Sequence, residues 1–273
     1  MGKLSYAAHG YAWTSSWTDA SLPLIDHAGE IGFDVIEVPL MELDKMDPAG
    51  VRERAEEVGI GVYGSPALSP EQDITSDDPA VRKAGVDFLL RCVRAAADMG
   101  SPVLTGVTYS GIGCALDCMP DERYWKWSAE ALKEACELGE ELNVTIGIEP
   151  VNRYETFLVN TCEQALRLRD MVGSPKAAVH LDAYHMNIEE NDFHRPTKRA
   201  VPHLCHFHLS ESHRGTPGTG TVDWDGIYRG LAEGGYEGVV GLESFVEVSA
   251  ALRAATCIWR PTAPSSDQLL TEG

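Results

Sequence analysis

Val144-Thr-Ile-Gly-Ile-Glu149-Pro-Val-Asn-Arg-Tyr-Glu155 is an alternating apolar run that stops at a carboxylate. Period-two alternation sends Ile146 and Ile148 to one face of a strand and Gly147 and Glu149 to the other. Pro150 favours an extended Glu149 and has no N–H to give to a sheet ladder, so the strand ends with the Glu149 carboxylate at its tip. The same pattern recurs in Val179-His-Leu-Asp182, Cys205-His-Phe-His208 and Val240-Gly-Leu-Glu243. Each run puts aliphatic or aromatic side chains on one face and small or polar ones, ending in a metal-ligating type, on the other. The tips follow one another at roughly thirty-residue intervals, enough for a strand, a crossover helix and two loops. At successive strand tips of a closed parallel barrel, three carboxylates and an imidazole converge on one point above the mouth.

Length agrees with that architecture. The 273 residues are the usual size of one (β/α)8 TIM barrel, and no Pro/Gly/Ser-rich linker divides them, so residues 1–273 are read as a single α/β domain. A hydrophobic content of 44% supports a sizeable core rather than disorder. The 42 acidic residues outnumber the 22 Lys and Arg, and the net charge of −20 repels phosphate backbones and anionic membranes, which argues against a nucleic-acid partner. Seven cysteines, an odd number without CxxC pairs, form neither a disulfide framework nor a zinc-ribbon spacing; the nearest pair, Cys114 and Cys118, is read as reduced thiols. With no basic-then-apolar leader and no apolar run long enough to span a bilayer, the expected location is the cytoplasm.

Around the four tips the chain reads as eight units. Strands are expected at 10–13, 34–38, 61–65 and 102–107, then at the four runs above, with the last two extended to 203–209 and 238–243. Helices are expected at 19–31, 48–58, from the Asp78-Pro79 start to just before Gly100, at 121–142, from the Thr161-x-x-Gln164 capping box to Gly173, and at 224–233. Residues 109–120 read as a long pocket-shaping loop, 185–190 as an irregular excursion, and 266–273 as a capped helix that stops short, leaving the last barrel helix partial.

Glu149, Asp182, His208 and Glu243 together offer hard oxygens and one imidazole, a donor set for a divalent ion: Mn²⁺ first, with Mg²⁺ and Co²⁺ as alternatives. Without a cation, three crowded carboxylates would repel one another and resist ionisation. His180 and His206, two residues before two of the tips, are read as structural histidines in the layer below. Glu37 ends strand two in a similar way but alone carries little. Trp13 fits either the core or a pocket wall.

These segments resemble a known family. Glu149 to Glu155, His180-Leu-Asp-Ala-Tyr-His-Met-Asn-Ile-Glu-Glu190, His206-Phe-His-Leu-Ser-Glu-Ser-His-Arg214 and Gly241-Leu-Glu-Ser-Phe245, together with Trp125-Lys-Trp-Ser128 and Gly218-Thr-Gly220, are similar to the ketose 3-epimerases (D-tagatose, D-allulose and L-ribulose types) of the xylose-isomerase-like barrels. The resemblance implies metal ligation by Glu149, Asp182, His208 and Glu243, with the two glutamates also serving as acid and base. It implies substrate contacts from Glu155, His185 and Arg214 and a homodimer or homotetramer; a free sugar is expected as substrate because Glu211 and Asp223 flank the loop that carries Arg214 and the overall field is negative. Residues 109–114 lack an aromatic that some members place against the sugar tail, which leaves the preference at carbons four to six open.

Inverting a carbinol carbon beside a ketone takes a proton off one face and returns one to the other, so two opposed carboxylates are suitable equipment. Three rivals stay open. An aldose–ketose isomerase of sugar or hydroxypyruvate type manages with one base, and a metal phosphodiesterase calls for more histidines and a basic surface. A sugar-binding barrel without turnover would bind and not convert.

Overall fold

The computed structural model describes residues 3–246 and 249–273. Its strands are β1 (Ser5–His9), β2 (Val35–Pro39), β3 (Gly61–Ser65), β4 (Ala67–Leu68), β5 (Val103–Leu104), β6 (Val107–Gly111), β7 (Thr145–Ile148), β8 (Ala177–Asp182), β9 (Leu204–His208) and β10 (Val239–Leu242). Eight of them close a parallel barrel in the order β1-β10-β9-β8-β7-β5-β3-β2, while β4 and β6 pair separately. The α/β barrel read from the spacing is therefore the fold.

The helices between the strands carry the signals that start and stop them. In α1 (Pro23–Ile31), α2 (Pro48–Val58) and α3 (Pro79–Asp98) a proline occupies the first turn, where its missing N–H costs nothing, and the side chains of Asp47 and Asp78 cap α2 and α3. Asp121 caps α4 (Glu122–Leu142), and the Thr161–Gln164 box opens α5 (Cys162–Val172) before a left-handed Gly173 ends it. Further on come α6 (Ala183–Glu189), α7 (His194–Ala200), α8 (Trp224–Gly234), α9 (Ala250–Thr256) and α10 (Ser266–Glu272). No described helix is long and apolar enough to cross a membrane.

Strand faces divide as alternation requires. Ile36, Val38, Ile146, Ile148, Val179, Leu181, Phe207, Val240 and Leu242 belong to the continuous buried core shared with the helices. Ala7, Val35 and Val239, with Tyr63 against them, form a small separate cluster. Two residues further along these strands stand His9, Glu37 and Gly241, in a layer that is polar or empty of side chain. Register then sets the tips side by side: His208 pairs with Asp182 on one flank and with Gly241 on the other.

Three expectations are corrected. Strand one lies at Ser5–His9, and residues 10–12 are a 3-10 turn; Ala7 and Ala8 carry too little apolar signal to compete with the aromatic Gly-Tyr-Ala-Trp segment. The expected fourth strand is cut in two at Gly106, whose φ of 88° only glycine adopts freely, and the second half becomes β6, paired with β4, in place of the first part of a loop. Residues 185–190 are not irregular: Asp182 caps α6 there, its Oδ1 accepting from the N–H groups of Tyr184 (2.6 Å) and His185 (3.2 Å). Trp13 packs against the core, one of its two expected places, and donates its indole N–H to Asp267 in α10 at 3.1 Å.

Candidate functional site

Each strand tip delivers its side chain to the barrel mouth. Nδ1 of His208 lies 3.5 Å from Asp182 Oδ2, 3.6 Å from Glu243 Oε2 and 3.8 Å from Glu149 Oε1, and it has no hydrogen-bond partner. An orphaned, buried imidazole nitrogen facing three carboxylates is expensive unless something sits among them. Among the described residues, Glu149, Asp182 and His208 offer donor atoms all within 4.8 Å of one another, a buried His/Glu/Asp triad that suits a divalent metal. Glu243 stands at the edge of this group, with Oε2 accepting from Arg214 Nη1 at 2.5 Å. The other nitrogen of His208, Nε2, meets Glu37 Oε2 at 2.9 Å.

Electrostatics separate the carboxylates. Burial raises the Glu149 pKa well above the usual range; His208 and Arg214 offset part of this, while the charges of Glu243 and Asp182 add to it. Glu243 is raised by burial too, against the pull of Arg214 and His208. Asp182 goes the other way: burial opposes its charge, but Arg214, His185 and His208 outweigh that and hold it well below the carboxylate range. Two carboxylates poised to take a proton beside one that stays ionised is a division of labour suited to acid–base chemistry around a cation.

The substrate side is equally built. His185 Nδ1 accepts from the Asn152 backbone N–H (3.1 Å) and faces its side-chain amide (2.9 Å). Its Nε2 lies 3.3 Å from Arg214 Nη2, which can only donate, and 4.0 Å from Glu149 Oε1. Arg214 stacks over Tyr184 and Phe245, at 4.1 and 5.0 Å to their ring centres, and also donates to Asp182 Oδ2 and Ser210 at 3.1 Å. Its φ of 60° is left-handed, strained for an arginine and held by the loop around it. Glu155 accepts from the Asn152 amide at 2.8 Å.

Glu149, Glu155, His185, Arg214 and Glu243 line one cleft of about 280 Å³, a size for a small molecule. Asp182 and His208 lie beneath it, wholly buried. All seven expected site residues thus belong to one locality. His180 and His206 have rings 4.9 Å apart and, with His208, bring a second set of buried donor atoms within 4.8 Å of one another. Sequence reasoning missed three contributors. Asn152 stood inside the quoted stretch without an assigned role. Glu37 had a strand-tip position as its only signal, and His9 ends the strand that was misplaced. Its Nδ1 accepts from Tyr11 N–H at 3.1 Å, its Nε2 lies 4.0 Å from Glu243 Oε1, and burial lowers its pKa to about 3.

A closed barrel with a buried acidic-histidine centre at its mouth defines a class, and residues 25–263 match the family described as xylose isomerase-like TIM barrel. The chain is 34% identical to the ketose 3-epimerase of Arthrobacter globiformis over 97% of its own length and 93% of the relative's. It is 34% identical to the L-ribulose 3-epimerase of Mesorhizobium japonicum over 92% and 86% of the two chains. The crystal structure of D-allulose 3-epimerase from Methylomonas sp. in complex with D-allulose superposes with a TM-score of 0.94 at 32% identity, covering 100% of this chain and 95% of that one. The D-psicose 3-epimerase of Clostridium cellulolyticum H10 with D-tagatose gives 0.91 at 25% identity, covering 98% and 96%. The chain belongs to the ketose 3-epimerase family, within the isomerases.

Proposed function

We propose that this ketose 3-epimerase acts on free pentuloses and hexuloses, exchanging the C3 proton between Glu149 and Glu243 with Mn²⁺ as its metal. The observation that carries the reading is the placement of these two carboxylates, both lining the cleft and both raised in pKa by burial. They extend from β7 and β10, which β8 and β9 separate in the barrel, so they flank the cleft with Asp182 and His208 between them. One removes the C3 proton and the other returns a proton to the opposite face, which inverts the carbon. Glu149, Asp182, His208 and Glu243 would hold a divalent metal, which would supply Lewis-acid stabilisation of the negative charge developing on the ketone oxygen. Arg214 and His185 orient the O1 and O2 end through hydrogen bonds. Glu155 accepts from a hydroxyl towards the tail. Beyond it, Ala67, Leu68, Val107 and Ile112 line the cleft without a cation, which favours an uncharged sugar.

The test is a panel of free ketoses and aldoses with Mn²⁺, before and after chelation, followed by NMR in deuterated water. Epimer formation with deuterium at C3, abolished by chelation and restored by Mn²⁺, is the expected result. Conversion of ketose to aldose without C3 inversion would replace this reading with the isomerase.

A further inference from the structure

Glu37 is wholly buried inside the barrel, below the cleft and outside its lining. Its two oxygens are divided between two histidines: Oε1 meets His206 Nε2 and Oε2 meets His208 Nε2, each at 2.9 Å. His206 is anchored in turn, with Nδ1 3.2 Å from the Val239 carbonyl and Tyr63 edge-on to its ring. Glu37 is therefore fixed from the far side and cannot follow His208 if that ring turns.

We propose that Glu37 is the positioning residue of the metal site, acting through His208. By accepting the Nε2 proton it leaves the Nδ1 lone pair bare and aimed at Glu149, Asp182 and Glu243. A carboxylate behind a ligating imidazole fixes both tautomer and ring orientation and makes the ring a stronger donor. A purely structural role explains the arrangement less well. Barrel interiors are normally filled by Val, Ile and Leu, and replacing a buried ionic cluster by apolar side chains is commonly neutral or stabilising. This barrel instead keeps space for the cluster: on β10, beside the strand of His206, a Cβ at Gly241 would collide with Glu37 Oε1 and lie 2.9 Å from His206 Nε2. The interior is shaped around the carboxylate.

The proposal rests on the reading of His208 as a ligand, and the experiment separates the two. Mn²⁺ affinity is measured by chelator competition on the full chain for the parent, Glu37→Gln, Gly241→Ala and His208→Gln, with folding checked by thermal melts. Glu37→Gln should bind Mn²⁺ about 10–100-fold more weakly, and Gly241→Ala, which displaces Glu37 without altering any ligand, should weaken it in the same direction. Both should regain most of the parent kcat in excess Mn²⁺, a split that a general loss of fold does not produce. A folded Glu37→Gln with parent affinity overturns the proposal, and if that variant does not fold, parent affinity in Gly241→Ala overturns it. Parent affinity in His208→Gln would instead remove the ligand reading on which it stands.

Discussion

Glu149 and Glu243 are alike in burial and unlike in company. Both face imidazoles, Glu149 those of His180 (3.6 Å) and His208 (3.8 Å) and Glu243 those of His208 (3.6 Å) and His9 (4.0 Å), but Glu243 is also clasped by the Arg214 guanidinium. Replacing either with glutamine keeps the size and one oxygen donor but removes the base, so kcat should fall by ~10²–10⁴-fold. Metal content measured on each variant guards against simple metal loss. Single-turnover exchange of deuterium into each C3 epimer then gives the decisive reading: the surviving glutamate should label one epimer, and the two variants should prefer opposite ones. A metal-loaded variant that epimerises at the parent rate would eliminate the pair. Both glutamates were legible in the sequence because each ends an alternating run. Glu37 and His9 were not, since a buried charge one layer down differs from a surface strand end only through its partners, and those partners lie on distant strands.

The loop from β9 to α8 brings Arg214 into the site, and one buried carboxylate folds it. Glu211 accepts from the backbone N–H groups of Ser212 (2.8 Å), Gly218 (2.9 Å) and Val222 (3.2 Å), and from the Trp224 indole at 3.1 Å. Glu211→Ala leaves these donors unpaired and frees the segment that forces Arg214 into its left-handed backbone. A misplaced positioning group typically costs ~10²-fold, so kcat/KM should drop by that order while Mn²⁺ affinity changes little. Steady-state kinetics beside a metal titration checks this, and unchanged kcat/KM in a folded variant would refute it. In the sequence this loop showed only Arg214 and Gly218-Thr-Gly220, both through the family resemblance, and gave no sign of the Glu211 hub. The helices came through because their start and stop signals are local, as in the Asp78-Pro79 cap and the Thr161–Gln164 box. The split of the fourth strand did not, because β6 exists by pairing with β4, a contact that no local periodicity records.

At the scale of the molecule, the charge of −20 and a cleft whose tail end has no cation predict that ketose phosphates are poorer substrates than free ketoses. Equal or better kcat/KM on a phosphate ester would contradict this. Proton linkage gives a sharper test of the same centre. In the metal-free chain the Glu149 pKa lies well above the usual range through burial and its acidic neighbours. That of His208 is also well raised: burial opposes the shift, but Glu37, Glu243 and Asp182 outweigh it. A raised folded pKa contributes stability that is complete below the unfolded value and is lost as pH rises through the folded one. Groups with depressed values act in the opposite sense: Asp182 and Glu37 among the carboxylates, and His9, His180 and His185 among the histidines. Their contributions have largely levelled off by about pH 7, since by then their unfolded counterparts have mostly lost their protons. Above about pH 7 the groups with raised values, Glu149, Glu243 and His208, therefore set the slope, and Tm in EDTA should fall. Metal binding requires those same protons to leave, so the Tm gained on adding Mn²⁺ should grow over the same range. Melts at several pH values, with EDTA and with Mn²⁺, decide the matter: a flat or rising Tm in EDTA together with a pH-independent gain from Mn²⁺ would mean that the metal does not displace protons from Glu149, Glu243 and His208.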